Sequence, residues 1–100
     1  MTDYDAVIIG AGHNALVCAG YLTKAGKTVL VVDGRPDPGG CASTREFSPG
    51  FRVSDCAQWL SQFDQSIVKD LNLIGNGLRL GQPKSTISLQ PDSDHLTLEG

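Results

Sequence analysis

The run from Asp5 to Asp33, DAVIIGAGHNALVCAGYLTKAGKTVLVVD, constrains the fold more than any other part of the chain. Ala6-Val7-Ile8-Ile9 is short, apolar and rich in β-branched residues, the pattern of a parallel strand covered on both faces. Gly10-Ala11-Gly12-His13-Asn14-Ala15 follows without a spacer and fits G-x-G-x-x-G/A. Each position has a physical job. Gly10 lets the chain turn sharply out of the strand, and Gly12 lets backbone approach a pyrophosphate. Ala15 is small enough for a helix to pack closely on a strand. The spacing predicts a helix from about Asn14 to Ala25, with Ala15, Cys18, Ala19 and Leu22 on the face toward the sheet. Lys24 and Lys27 flank its negative end, and Gly26 suits the position after the C-cap. Thr28-Val29-Leu30-Val31-Val32 reads as a second buried strand. Asp33 closes it, near the spacing of about 20 residues expected of an acid that accepts ribose hydroxyls.

A lone glycine pattern would be weak. Here strand, turn, helix, strand and acid occur in the required order, which predicts a Rossmann-type βαβ unit of an α/β fold. The first N–H groups of the helix, around Gly12, His13 and Asn14, are expected to meet the pyrophosphate of a dinucleotide at the positive end of the helix dipole.

Composition narrows the class. With 40% hydrophobic and 19% charged residues, the 100-residue chain has an ordinary globular make-up rather than a disordered one. A net charge of −3 argues against nucleic acid or an anionic membrane as the main partner. The apolar runs are too short to span a bilayer, and the start of the chain has no basic segment ahead of an apolar one. The expected location is cytoplasmic. Cys18, Cys41 and Cys56 are too scattered for a redox disulfide or, with only His13 and His95 beside them, for a zinc site.

After the second strand, residues 34–48 are rich in Gly, Pro, Ser and charge and read as loop. Gly34 and Arg35 directly follow the acid. Arg35 reads either as a partner for an anionic or ribose group of a cofactor or as part of a surface turn stiffened by Pro36 and Pro38. Gly39 and Gly40 precede the small residues Cys41, Ala42, Ser43 and Thr44. A glycine pair permits close backbone approach to something bulky and planar.

The glycine motif, the acid, the basic residue and the glycine pair together resemble FAD-dependent amine-oxidase and phytoene-desaturase-type flavoproteins. The spelling Gly10-Ala11-Gly12-His13-Asn14-Ala15-Leu16-Val17, and later Glu46-Phe47-Ser48-Pro49-Gly50-Phe51-Arg52, is similar to the branch with phytoene desaturase-like and carotenoid isomerase-like proteins. That branch includes the pyridine nucleotide-disulfide oxidoreductase domain 2 family. The resemblance implies FAD as cofactor. It places Gly10, Ala11, Gly12, His13, Asn14, Ala15, Asp33, Gly34, Arg35, Gly39, Gly40, Cys41, Ala42 and Thr44 along it. It also implies a small-molecule substrate of apolar or isoprenoid-like kind. Asp33 departs from the pattern, because these flavoproteins more often carry Glu there. Its charge would repel a 2′-phosphate and disfavour NADP.

The rest of the chain is less specific. Trp59 and Phe63 read as core or interdomain packing or, by the resemblance, as facing a hydrophobic substrate. Cys56 reads as a small buried group. Asp64 to Leu73 reads as a short helix with Asp64 as N-cap, stopped by Gly75-Asn76-Gly77. Leu78-Arg79-Leu80 reads as a short strand. Thr86–Leu89 and His95–Leu98 alternate polar and apolar around the turn residues Pro91 to Asp94, a hairpin pattern with one wet face. His95 is expected on the exposed side.

Residues 1–55 are thus expected to form the first FAD-binding βαβ unit with its glycine-pair loop, and residues 56–100 the start of an α+β substrate domain. Two strands are fewer than a dinucleotide-binding sheet uses, and the chain stops within a strand-like pattern, so it is expected to be the front of a larger protein. The expected function is the FAD-binding portion of a flavin-dependent oxidoreductase, with no catalytic acid or base identifiable. The alternatives are an NAD-binding dehydrogenase module and a truncated, non-catalytic nucleotide-binding fragment.

Overall fold

Strand β1 (Ala6–Ile9) and strand β2 (Val29–Val32) pair in parallel, with Ala6 opposite Val29 and Ile9 opposite Val32. The computed structural model that shows this describes residues 2–57, 59–60 and 62–99. A parallel pair needs a crossover. Helix α1 (His13–Lys24) supplies it, starting at His13 rather than Asn14. The entry to both strands is tied by Asp5, whose N–H donates to the Thr28 carbonyl at 2.8 Å while its carboxylate accepts from the Thr28 N–H at 2.7 Å.

Ala15, Ala19 and Leu22 are half-buried as expected, but Cys18 is exposed. A sheet of two strands covers a narrower arc of the helix than the predicted stripe. The helix ends as its sequence dictates. The Gly26 N–H donates to the Thr23 carbonyl and the Lys27 N–H to the Leu22 carbonyl, at 2.9 and 3.0 Å, which satisfies carbonyls left over by the last turn.

Residues 34–48 are not wholly loop. Gly40–Ala42 forms a 3₁₀ turn, and Thr44–Ser48 is a strand, β3, antiparallel to β4 (Phe51–Ser54). Pro49-Gly50 makes the turn between them, held by the Gly50 N–H donating to the Glu46 carboxylate at 2.7 Å. Proline followed by glycine is the local signal for this turn.

Helix α2 (Gln65–Asp70) starts as expected. The Asp64 carboxylate accepts from the Ser66 N–H at 2.8 Å, an N-cap. The helix is short and gives way to turns over residues 71–77. It docks on α1: the Tyr21 hydroxyl donates to the Asp70 carboxylate at 2.8 Å, and the Lys24 ammonium to the Asp70 carbonyl at 2.7 Å. Gly20 leaves room for Leu71, whose Cδ1 would lie 3.0 Å from any Cβ added there. Leu78-Arg79-Leu80 forms no strand.

Strands β5 (Thr86–Ser88) and β6 (Leu96–Leu98) form the expected hairpin, but its faces differ from expectation. Thr86 pairs with Leu98, Ile87 with Thr97 and Ser88 with Leu96. Paired residues share a face, so the leucines stand with Thr86 and Ser88 while Ile87 stands opposite. Each face is therefore half apolar, and neither is the wet one. Cys56 is exposed rather than buried.

Among the described residues only Ala11 and Val68 are buried apolar groups. The face of β1–β2 away from α1 lies open, with Val7 58% and Ile9 87% exposed. The radius of gyration, 18.3 Å, exceeds the ~13 Å of a compact domain of this length. Among the described residues, no helix is long and apolar enough to cross a membrane.

Candidate dinucleotide site

The site forms where β1 turns into α1. Gly10 takes φ +100°, a conformation that side chains resist, and its N–H donates to the Val32 carbonyl at 2.7 Å. The turn therefore leaves β1 pinned to the end of β2. Ala11 is 5% exposed, the most enclosed residue of the turn. Its N–H donates to Asp33 Oδ2 at 2.6 Å.

Gly12 is the N-cap of α1, and no side chain caps this end. The first turn carries no acidic residue. Orphan N–H groups at a helix N-terminus, with the positive dipole end behind them, favour an anion. A Cβ added to Gly12 would meet nothing within 4 Å. Space therefore stands open beside the helix end, where an anion could approach the backbone. His13 and Asn14 are exposed on the first helical turn, and Ala15 is half-buried beneath them.

Asp33 does more than stand at the end of β2. Its Oδ1 accepts from the Arg35 N–H at 2.7 Å while Oδ2 accepts from Ala11. These bonds, the Arg35 N–H first and then Ala11, hold its carboxyl below the ordinary carboxylate value. The group stays ionised, and each oxygen keeps a lone-pair site for a hydroxyl donor. Arg35 thus contributes through its backbone as well as its nearby charge, and Gly34 spans the tight turn between it and Asp33. The residues present fit an ADP-like group: an uncapped helix end for the phosphates and an ionised acid, bonded to the glycine turn, for the ribose.

Gly39 and Gly40 come to the same place, against the protein's own backbone. The Gly39 N–H donates to the Ala11 carbonyl at 2.7 Å, and Gly12 and Gly39 form a parallel bridge. Cys41 and Ala42 continue the 3₁₀ turn, both exposed, and Thr44 opens β3. Sequence reasoning missed what holds this segment from behind. The Asp55 N–H donates to the Ser43 carbonyl at 2.9 Å, the Ser43 hydroxyl donates to the Asp55 carboxylate at 2.9 Å, and Arg45 lies 3.3 Å from the same carboxylate. The Ala57 N–H donates to the Cys41 carbonyl at 3.0 Å.

Trp59 and Phe63 are not part of this site. They line an open groove of about 910 Å³ with Leu60, Leu80 and Pro83. His95 is exposed at the second hairpin, where its Nδ1 accepts from the Gln90 N–H at 3.3 Å.

Residues 8–71 match the family described as NAD(P)-binding Rossmann-like domain. The chain is 46% identical over 78 residues to the mouse pyridine nucleotide-disulfide oxidoreductase domain-containing protein 2, covering 78% of this chain and 13% of that protein. It is 42% identical over 98 residues to a component of the limonene dehydrogenase of Castellaniella defragrans, covering 96% of this chain and 18% of that one. It is 50% identical over 40 residues to rat all-trans-retinol 13,14-reductase, covering 40% of this chain and 7% of the reductase. The chain therefore spans less than a fifth of the length of these relatives.

Proposed function

The chain belongs to the NAD(P)-binding Rossmann-like domain family, and on that premise we propose that it grips the ADP end of FAD in a flavin-dependent oxidoreductase. The observation that carries this reading is the pairing of the uncapped α1 terminus with Asp33, joined through the Ala11 N–H. The N–H groups after Gly12 bind and orient the pyrophosphate. The Asp33 carboxylate accepts the ribose hydroxyls, and its charge turns away a 2′-phosphate. Gly34, Arg35, Gly39, Gly40, Cys41, Ala42 and Thr44 line the path by which the cofactor leaves the ADP site.

When bound, FAD would supply the acceptor for a hydride taken from a substrate C–H bond. The sequence of the glycine pair favours FAD over NAD. The likeness to relatives named as a limonene dehydrogenase and a retinol reductase supports redox chemistry. Those two names also support a small apolar substrate, isoprenoid-like in kind. Residues 1–55 would serve the cofactor and residues 56–100 would lead toward the substrate. The free, exposed thiols of Cys18, Cys41 and Cys56 suit a reducing, cytoplasmic setting.

The test is to purify the protein as its cell makes it, denature it, and identify what is released by absorbance and mass. FAD is the expected result. Release of NAD in its place would overturn the proposal.

A further inference from the structure

The Gly39–Gly40 pair lies between two parts of the molecule. Toward the front, the Gly39 N–H donates to the Ala11 carbonyl at 2.7 Å. Gly40 takes φ +57°, and a Cβ added there would sit 3.0 Å from Gly12 Cα. That neighbour is backbone of the phosphate turn itself and has no free rotation with which to yield. Toward the rear, the Ser43 carbonyl and hydroxyl are bonded to Asp55, and the Cys41 carbonyl accepts from the Ala57 N–H. The segment from Gly39 to Ser43 thus joins the end of the β3–β4 hairpin to the glycine turn. A cofactor-contact role alone does not explain why glycine is needed where Gly40 meets Gly12.

We propose that Gly39 and Gly40 are positioning residues: a backbone latch that fixes the Gly10–Ala15 turn in its ligand-ready shape and ties it to the β3–β4 hairpin. The latch acts before any ligand is present. It rests on the dinucleotide reading only for what the turn receives.

The experiment uses amide NMR spectra of the ligand-free chain and of Gly40→Ala, Gly40→Asn, Asp55→Ala and Gly81→Ala variants. Asn tolerates the left-handed conformation that Ala resists, yet both bring a Cβ against Gly12. Gly40→Ala and Gly40→Asn are expected to displace the Ala11, Gly12 and His13 signals. They are also expected to speed exchange of the Gly39 amide roughly tenfold or more. Asp55→Ala is expected to displace the Gly12 signal from the other side. Gly81→Ala, where an added Cβ meets nothing within 4 Å, should leave these signals in place.

If Gly40→Asn keeps the parent spectrum, contact with Gly12 is not needed and the latch is overturned. A Gly12 signal unmoved in Asp55→Ala overturns the link to the hairpin. Should Gly40→Ala fail to fold, the Asn and Asp55 variants still decide. Titration with ADP then reads the ligand. The Gly40 variants are expected to bind roughly tenfold more weakly than the parent, and equal binding would overturn the ligand-ready claim. A parent chain that ignores ADP would sink the dinucleotide reading, while the ligand-free spectra would still decide the latch.

Discussion

On the proposed reading Gly12 and Asp33 have separate tasks at the site, and each can be removed without the other. Gly12 has φ −73° and ψ 171°, a backbone that alanine adopts freely, and the space beside it is open. Gly12→Ala should leave the fold intact while weakening ADP binding on the order of tenfold or more, as calorimetry would show, because its methyl occupies the approach to the phosphates. Asp33→Asn should act differently. The carboxylate holds the Ala11 N–H on Oδ2 and the Arg35 N–H on Oδ1, and an amide would put an NH2 in place of one of these oxygens and carry no charge to repel a phosphate. The preference for ADP-ribose over its 2′-phosphorylated form should shrink, measured as the ratio of the two dissociation constants. The carboxyl pKa of Asp33 is depressed, so its stabilising contribution is present above the unfolded value of 3.8 and is lost as pH falls through the lower folded value. The Ala11 and Arg35 amide signals should move together with an apparent pKa below 3.8, and Asp33→Asn should abolish that movement.

At the scale of elements, the βαβ unit was legible because local signals agreed: β-branched runs for the strands, small residues for the helix face, and a glycine stop that forms its bonds as expected. Helix α2 was legible from its N-cap. Asp64→Ala removes the bond to the Ser66 N–H and should speed exchange of the Leu71 amide, bonded to Ile67, by roughly fivefold. The β3–β4 hairpin was hidden, since Thr44-Arg45-Glu46-Phe47-Ser48 shows no clean alternation and its apolar groups remain exposed. The docking of α2 on α1 was hidden for another reason. It depends on Tyr21, Lys24 and Gly20 meeting residues distant in sequence, and no periodicity reports such a meeting. For the second hairpin the alternation was visible but the register was not, and register decides which face each leucine shares. The rear support of the site through Ser43, Arg45 and Asp55 is a tertiary network of the same hidden kind.

For the whole molecule, the distribution of burial sets what this chain does alone. A parallel sheet ordinarily has both faces covered. Here one face of β1–β2 is open at Val7 and Ile9, and the chain extends over 69 × 33 × 22 Å. The site holds groups suited to phosphate and ribose, and the described residues do not surround the space beyond them. The chain by itself should therefore release FAD during gel filtration, and stoichiometric flavin retained through that step would count against the account. The most direct measurement compares ADP with FMN, each added to millimolar concentration while the backbone amides of the chain are followed by NMR. ADP is expected to shift the amides from Gly12 to Ala15 and from Asp33 to Arg35, and FMN to leave them unmoved. Absence of ADP shifts there, or shifts confined to the groove beside Trp59, would contradict the claim that this chain carries the adenosine half of the site.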